Sequence, residues 1–390
     1  RIFFKTMNIP LVKNTIDNTD IDKLISWLQT YPRLTKGDLT LEFERLWSEF
    51  MGVKHSIFVN SGSSANLLMV YALIESGILK IGDSIIIPSL SWSTSLAPAM
   101  QFGLEPILCD CNKEDLSIDL EHLATIISEK KPKCLMVVPI LGLVPQMDKI
   151  MDICEKNNVV LIEDACESLG SKFNDKKLGS FGLMSTFSTY FGHHISTIEG
   201  GMICTDNDEF ANLLKSLRSH GWDRDMDSDT RNSLRTQYEV DDFNALYTFY
   251  HTGFNVRSTD LQAFLGIGQL EKLPTVVTNR NKNFKLYHEL LDDSFWKPSI
   301  RDTDYVSNFA FPIIHKKRNE IVKLLKDNNI ENRPLLAGSL GKQPYWCKKY
   351  GQVTLPNVDD IDTFGLYLPN NHQMSIKEIS RICKVINSVL

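Results

Sequence analysis

The chain has 390 residues, 43% hydrophobic and 23% charged, a balance typical of a soluble globular protein large enough for two packed units. A formal net charge of −6, with no Lys/Arg-rich run interleaved with aromatics, excludes nucleic acid and anionic membrane surfaces as main partners. No apolar run approaches the roughly 20 residues of a membrane span, and the eight irregularly spaced cysteines read as reduced thiols, so the expected compartment is the cytoplasm.

In chain order, Arg1–Thr6 is too short for a signal peptide, and Met7 is read as the natural start. Apolar residues at helical spacing predict helices over 20–28 and 39–47. Short apolar runs at 56–59, 84–87, 106–109, 134–139 and 159–162 then alternate with helical stretches at 65–74, 120–128 and 147–155. This is the βαβ pattern of a mostly parallel sheet covered on both faces. A further apolar segment, 202–204, is followed by a helix near 213–218. The charged, unpatterned stretch 222–237 is expected to be an exposed loop or lid. A long helix is predicted from 260 to about 293. The pattern of 309–314 and a final helix near 376–389 then suggest a smaller α+β domain. The predicted division is 1–285, a large α/β domain with an N-terminal helical segment, and 286–390.

Three features sit at predicted strand ends. Val59-Asn-Ser-Gly-Ser-Ser-Ala-Asn66 joins a strand to a helix, and Gly62 and Ser63 could form an anion cradle there. A plain turn capped by Ser63 or Ser64 is the alternative. Trp92 follows the next strand, where a flat ring could be stacked or the core merely covered. Asp164 ends the run Val159-Val-Leu-Ile-Glu-Asp164, where a carboxylate suits a protonated ring nitrogen or simply caps a turn. Cys109-Asp-Cys111 lacks a second ligand pair at metal spacing, so no metal is expected.

Cradle, ring and anion together describe a pyridoxal phosphate pocket. The ordered motifs Asn60-Ser-Gly-Ser-Ser-Ala, Trp92, Glu163-Asp-Ala-Cys-Glu167, Phe187-Ser-Thr-Tyr-Phe-Gly-His-His and Gly253-Phe-Asn-Val-Arg257 resemble the sugar-nucleotide aminotransferase family of fold-type-I pyridoxal phosphate enzymes. The resemblance covers the chain from about Ile9 onward. It implies that Gly62, Ser63 and Thr189 serve the cofactor phosphate, that Trp92 stacks on the ring, and that Asp164 pairs with the ring nitrogen. It also implies that Glu167 lies near the ring hydroxyl, where the family more often has Gln. Asn255 is implied to reach the phosphate of a neighbouring subunit, hence a homodimer with shared active sites.

The chain departs from the family at the lysine that anchors the cofactor covalently, a few residues before Gly-Glu-Gly-Gly. The counterpart here is Ile198-Glu-Gly-Gly201, no lysine occurs between Lys177 and Lys215, and the lysine position is assigned to His194. His193 is left without a role. An imidazole can move protons near neutral pH but cannot anchor the cofactor. This pattern resembles the branch of 3-dehydratases that make 3,6-dideoxysugars. It implies removal of the C3 hydroxyl from a nucleotide-linked 4-keto-6-deoxysugar, with a GDP-linked deoxymannose as the implied substrate, free pyridoxamine phosphate as the working cofactor and L-glutamate to recharge it. A related group carries an iron–sulfur cluster, but beyond His194 only Cys204, Cys347 and Cys383 remain, so neither a cluster nor a reductase is expected. His220, Arg257 and Arg333 are candidates for a substrate or glutamate carboxylate, with ion pairs as the alternative. An amino-sugar-forming aminotransferase, a non-catalytic cofactor-binding protein and another nucleotide sugar stay open as alternatives.

Overall fold

The structure is a computed structural model that describes residues 8–390; the expected Met7 start lies outside the described residues. The central sheet is built from β1 (His55–Val59), β2 (Ser84–Pro88), β3 (Glu105–Cys109), β4 (Cys134–Val137) and β5 (Val160–Asp164), followed after a short hairpin, β6 (Lys172–Phe173) and β7 (Lys176–Lys177), by β8 (Met184–Ser188) and β9 (Gly201–Thr205). Its order is β1-β9-β8-β5-β4-β2-β3, and β9 alone runs against the others. The strands are almost wholly buried, which is why they read as continuous apolar runs rather than alternating ones. The expected α/β class with a mostly parallel sheet is therefore the architecture of the protein.

Two helices precede the sheet, α1 (Asn18–Leu28) and α2 (Asp38–Met51). The crossovers use α3 (Gly62–Glu75), α4 (Ser93–Gln101), α5 (Leu120–Lys130) and α6 (Met147–Asn157), and α7 (Asp208–Leu217) follows β9. The parallel arrangement gathers the C-terminal ends of β1, β2, β5 and β8 along one edge, where open α/β sheets bind ligands.

Residues 222–237 are not a loop throughout, because α8 (Ser228–Gln237) occupies most of the stretch. Asp227 caps it, accepting from the N–H groups of Asp229 and Thr230 at 2.9 Å each. The bonds from Thr230 lead in holding that carboxyl down to about 2. None of the helix is buried, so it has no apolar stripe to read, and Arg235 ties it to Asp223 at 2.7 Å.

The long helix α9 (Asp260–Leu290) begins with a capping box at Thr259 and Gln262, and residue 285 falls inside it. Strand β10 (Asp304–Tyr305) pairs with β6, and a second sheet of β11 (Phe311–Ile314), β12 (Arg333–Pro334) and β13 (Gly365–Leu368) has the order β11-β13-β12. Helices α10 (Arg318–Asp327), α11 (Pro344–Tyr350), α12 (Pro356–Phe364) and α13 (Ile376–Asn387) complete it.

One glycine fixes how closely the edge of the sheet meets the start of α3. A Cβ on Gly201 would meet Ser61 O at 2.2 Å and Gly62 N at 2.6 Å, both backbone atoms that cannot turn away. Gly201→Ala is expected to cost about 1–3 kcal/mol, the usual range for overpacking. Urea denaturation of the variant against wild type checks this.

Candidate active site

The helix start at α3 forms the cradle. Ser61, not Ser63 or Ser64, is the cap: its extended backbone leaves its hydroxyl to accept from Ser64 N at 3.0 Å. The first N–H groups of the helix, on Gly62 and Ser63, have no intrahelical partner and carry the positive end of the helix dipole. A Cβ on Gly62 would meet Ser188 Cβ at 2.7 Å and Cys166 Sγ at 3.1 Å. The end of β8 therefore sets Ser188, rather than the predicted Thr189, over the cradle. Thr189 is 0% exposed, and its hydroxyl lies 2.5 Å from that of Thr197, which in turn donates to Glu199 O. Successive strand residues point to opposite faces, so a reading one residue out of phase selects the wrong hydroxyl.

The same alternation separates Glu163 from Asp164. Glu163, fully buried, accepts from the N–H groups of Gly179, Phe181 and Gly182 and pins the loop entering β8. Asp164 turns the other way, and its Oδ2 accepts from Asn66 Nδ2 and Ser95 Oγ at 2.7 Å each. Thr186 Oγ1 donates to Asn66 Oδ1 at 2.6 Å and so fixes the amide that serves Asp164. Asn66 and Ser95 had no distinguishing mark in the sequence. Both sit one turn into helices that follow strands, a position that points back over the strand ends. Trp92 caps α4 with 55% of its surface exposed, a free flat ring at the end of β2.

Glu167 is half-buried and accepts from Leu141 N at 2.8 Å. Burial of its carboxyl pushes it up to about 8, against the Leu141 bond and with the charge of Asp164 adding to the rise. Tyr367, on β13, faces the same region: burial pushes its phenol up to about 12, with Glu167 adding and Arg333 opposing. Arg333 itself is exposed on β12, which pairs with Tyr367.

The histidine pair divides. His194 is 0% exposed, and its Nε2 lies 3.0 Å from Ser307 O. A carbonyl can only accept, so Nε2 carries the proton and the ring is held against the 307–309 segment. Burial, then the positive charge of Arg280, keeps it well below the ordinary histidine range. His193 retains accessible surface. Its ring is lowered to about 4, first by burial, with the Cys166 backbone and Asp164 opposing and Arg280 adding. Its Nδ1 is buried and has no partner among the described residues. The structure thus brings His193, rather than the expected His194, to Cys166 and Asp164.

The segment Phe254–Arg257 lies beside the cradle: Asn60 N donates to Val256 O at 3.0 Å, and Arg257 bridges to Val59. Asn255 is exposed and accepts from Arg257 Nε at 3.1 Å. His220 holds a left-handed backbone, φ 65°, and donates its N–H to Phe254 O. Cys109 and Cys111 are buried strand-end residues whose thiols are pushed up by desolvation.

The sheet, the helix-start cradle after β1 and the acid at the end of β5 define an aminotransferase architecture. The chain belongs to the DegT/DnrJ/EryC1/StrS aminotransferase family, whose profile matches residues 14–387. It is 35% identical over 382 residues to the GDP-4-keto-6-deoxy-D-mannose 3-dehydratase of Yersinia pseudotuberculosis, covering 95% of this chain and 96% of that one. It also superposes on a crystal structure of GDP-4-keto-6-deoxymannose-3-dehydratase with a trapped PLP–glutamate geminal diamine, at a TM-score of 0.90 and 33% identity, over 97% of this chain and 100% of that one. The Escherichia coli GDP-4-keto-6-deoxy-D-mannose-3-dehydratase with bound hydrated PLP matches with a TM-score of 0.89 and 32% identity, over 98% and 100% of the two chains.

Proposed function

We propose that the protein is a pyridoxal/pyridoxamine phosphate-dependent 3-dehydratase of a nucleotide-linked 4-keto-6-deoxysugar, with GDP-4-keto-6-deoxy-D-mannose as substrate and L-glutamate as amino donor. The observation that carries this reading is a histidine, His193, in the pocket of an aminotransferase fold that has no lysine between 177 and 215.

The residues present fit the cofactor. The N–H groups of Gly62 and Ser63, with the Ser188 hydroxyl, would hold its phosphate. Asp164, already fixed by Asn66 and Ser95, would hold the protonated ring nitrogen, and the exposed ring of Trp92 would stack on its face. When bound, the cofactor supplies an amine for the sugar ketone and a ring that accepts electrons. His193 moves the proton: its ring is neutral at pH 7 and keeps a free nitrogen, as a general base requires. Glu167, raised to about 8, is a protonated acid at the same pH and can donate a hydrogen bond where the family more often places an amide. Over a full cycle the sugar loses its C3 oxygen, and glutamate becomes 2-oxoglutarate and ammonia, which balances atoms and electrons.

The reading includes a homodimer in which Asn255 serves the neighbouring site. It is supported by the exposure of Asn255 and by the large apolar side chains left at the surface nearby, with Phe243 80% and Tyr247 75% exposed. His220, Arg257 and Arg333 keep their proposed substrate roles, and the small unit is taken as 286–390.

The test incubates the protein with pyridoxal phosphate, glutamate and a panel of nucleotide-linked 4-keto-6-deoxysugars. A product lighter by one oxygen, from the GDP-linked deoxymannose above the others, is expected. An amino sugar, or no product from any of the panel, would overturn the reading.

A further inference from the structure

Arg280, about two-thirds of the way along α9, is 3% exposed and has no carboxylate partner among the described residues. Burying an unpaired guanidinium is costly, so its retention needs a reason. Its Nη1 donates to three carbonyls, those of Asn308 at 3.3 Å, Phe309 at 2.7 Å and Asn370 at 2.6 Å, while its Nε has no partner. Asn370 closes the clamp, donating to Arg280 O at 3.1 Å and to Asn308 Oδ1 at 2.9 Å.

The clamped segment is the one that touches both histidines. Ser307 O accepts a hydrogen bond from His194 Nε2, and the Phe309 ring lies 5.2 Å from that of His193 and 6.4 Å from that of His194. The segment also reaches the other side of the pocket. Asn308 Nδ2 and Phe309 N both donate to Leu141 O at 2.8 Å, and Leu141 N donates to Glu167.

We propose that Arg280 is a positioning residue for proton transfer: its guanidinium clamps residues 307–309 against the histidine pair and sets an unpaired positive charge on the segment that both rings touch. The inference rests on the reading of His193 as the base. The groups that act on His193 are Asp164 and the Cys166 backbone, which favour its protonation, and Arg280, which opposes it. On His194 they are Arg280 and His193, which oppose protonation, and Ser307 O, which favours it. His372, lowered first by burial, feels the same charge together with those of Lys13 and Lys272.

The test compares Arg280→Gln, which keeps a donor and removes the charge, with Arg280→Lys, which keeps the charge and loses the fork. Ring NMR titration of His193 in the full-length, cofactor-free protein is the readout. Arg280→Gln is expected to raise the His193 midpoint by about one pH unit or more, a tenfold change in its protonation equilibrium. Arg280→Lys is expected to leave the midpoint near that of wild type. A merely structural arginine would lower the melting temperature in both variants and move neither midpoint. An unchanged midpoint in a folded Arg280→Gln overturns the proposal. Should that variant fail to fold, a midpoint in Arg280→Lys risen to the ordinary histidine value overturns it. Because no turnover is needed, this outcome is separate from loss of the catalytic reading, which the activity of His193→Asn decides.

Discussion

His193→Asn is expected to lower turnover by at least about 10³-fold, in line with the 10²–10⁴ that a positioned acid–base group contributes. Asparagine keeps the size and polarity of the ring but cannot take up a proton. His194→Asn is expected to lose far less, about tenfold or below, because it gives up one buried hydrogen bond, to Ser307 O, worth roughly 1 kcal/mol. Initial rates of product formation in the two variants check this pair. The reverse ranking would return the catalytic role to His194.

Asp164→Ala is expected to be the most damaging change away from the histidines. It leaves Asn66 Nδ2 and Ser95 Oγ buried without their acceptor, at about 1–3 kcal/mol for each lost partner. It also removes the only charge that Asn66 and Ser95 hold ready for a ring nitrogen. The variant is expected to lose bound cofactor on dialysis, seen as loss of absorbance, and to fall at least about 10²-fold in turnover. Retention of cofactor and rate would show that Asp164 serves the fold and not the pocket.

Much of this architecture was legible because it depends on local pattern. Buried parallel strands have apolar side chains on both faces, so Ile85–Ile87 or Leu161–Ile162 announce themselves without knowledge of their neighbours. The strand ends were equally visible, since Gly62, Trp92 and Asp164 fall where the apolar runs give way to turn and polar residues. What could not be read was phase. Whether Ser188 or Thr189 faces the cradle is decided by the fit of Ser188 against Gly62, more than a hundred residues upstream. Which histidine faces the pocket is decided by the carbonyl of Ser307, 113 residues downstream of His194. In both places the geometry favours the residue one earlier than the sequence reading, at a point where a turn breaks the alternation of a strand. Asn66, Ser95, Tyr367 and Arg280 were invisible for the same reason, since their roles exist only through partners distant in the chain. The stretch 222–237 hid a helix because α8 lies wholly at the surface, where no apolar stripe is needed.

The central claim is that a histidine in place of the lysine directs the reaction to elimination rather than to amino transfer. Incubation with ¹⁵N-labelled glutamate and GDP-4-keto-6-deoxy-D-mannose tests it most directly, by following where the nitrogen goes. Elimination predicts that the label appears as free ammonium, one for each 2-oxoglutarate formed, with a nitrogen-free sugar that has lost its C3 oxygen. Label retained on a sugar that still carries its C3 hydroxyl would contradict the account.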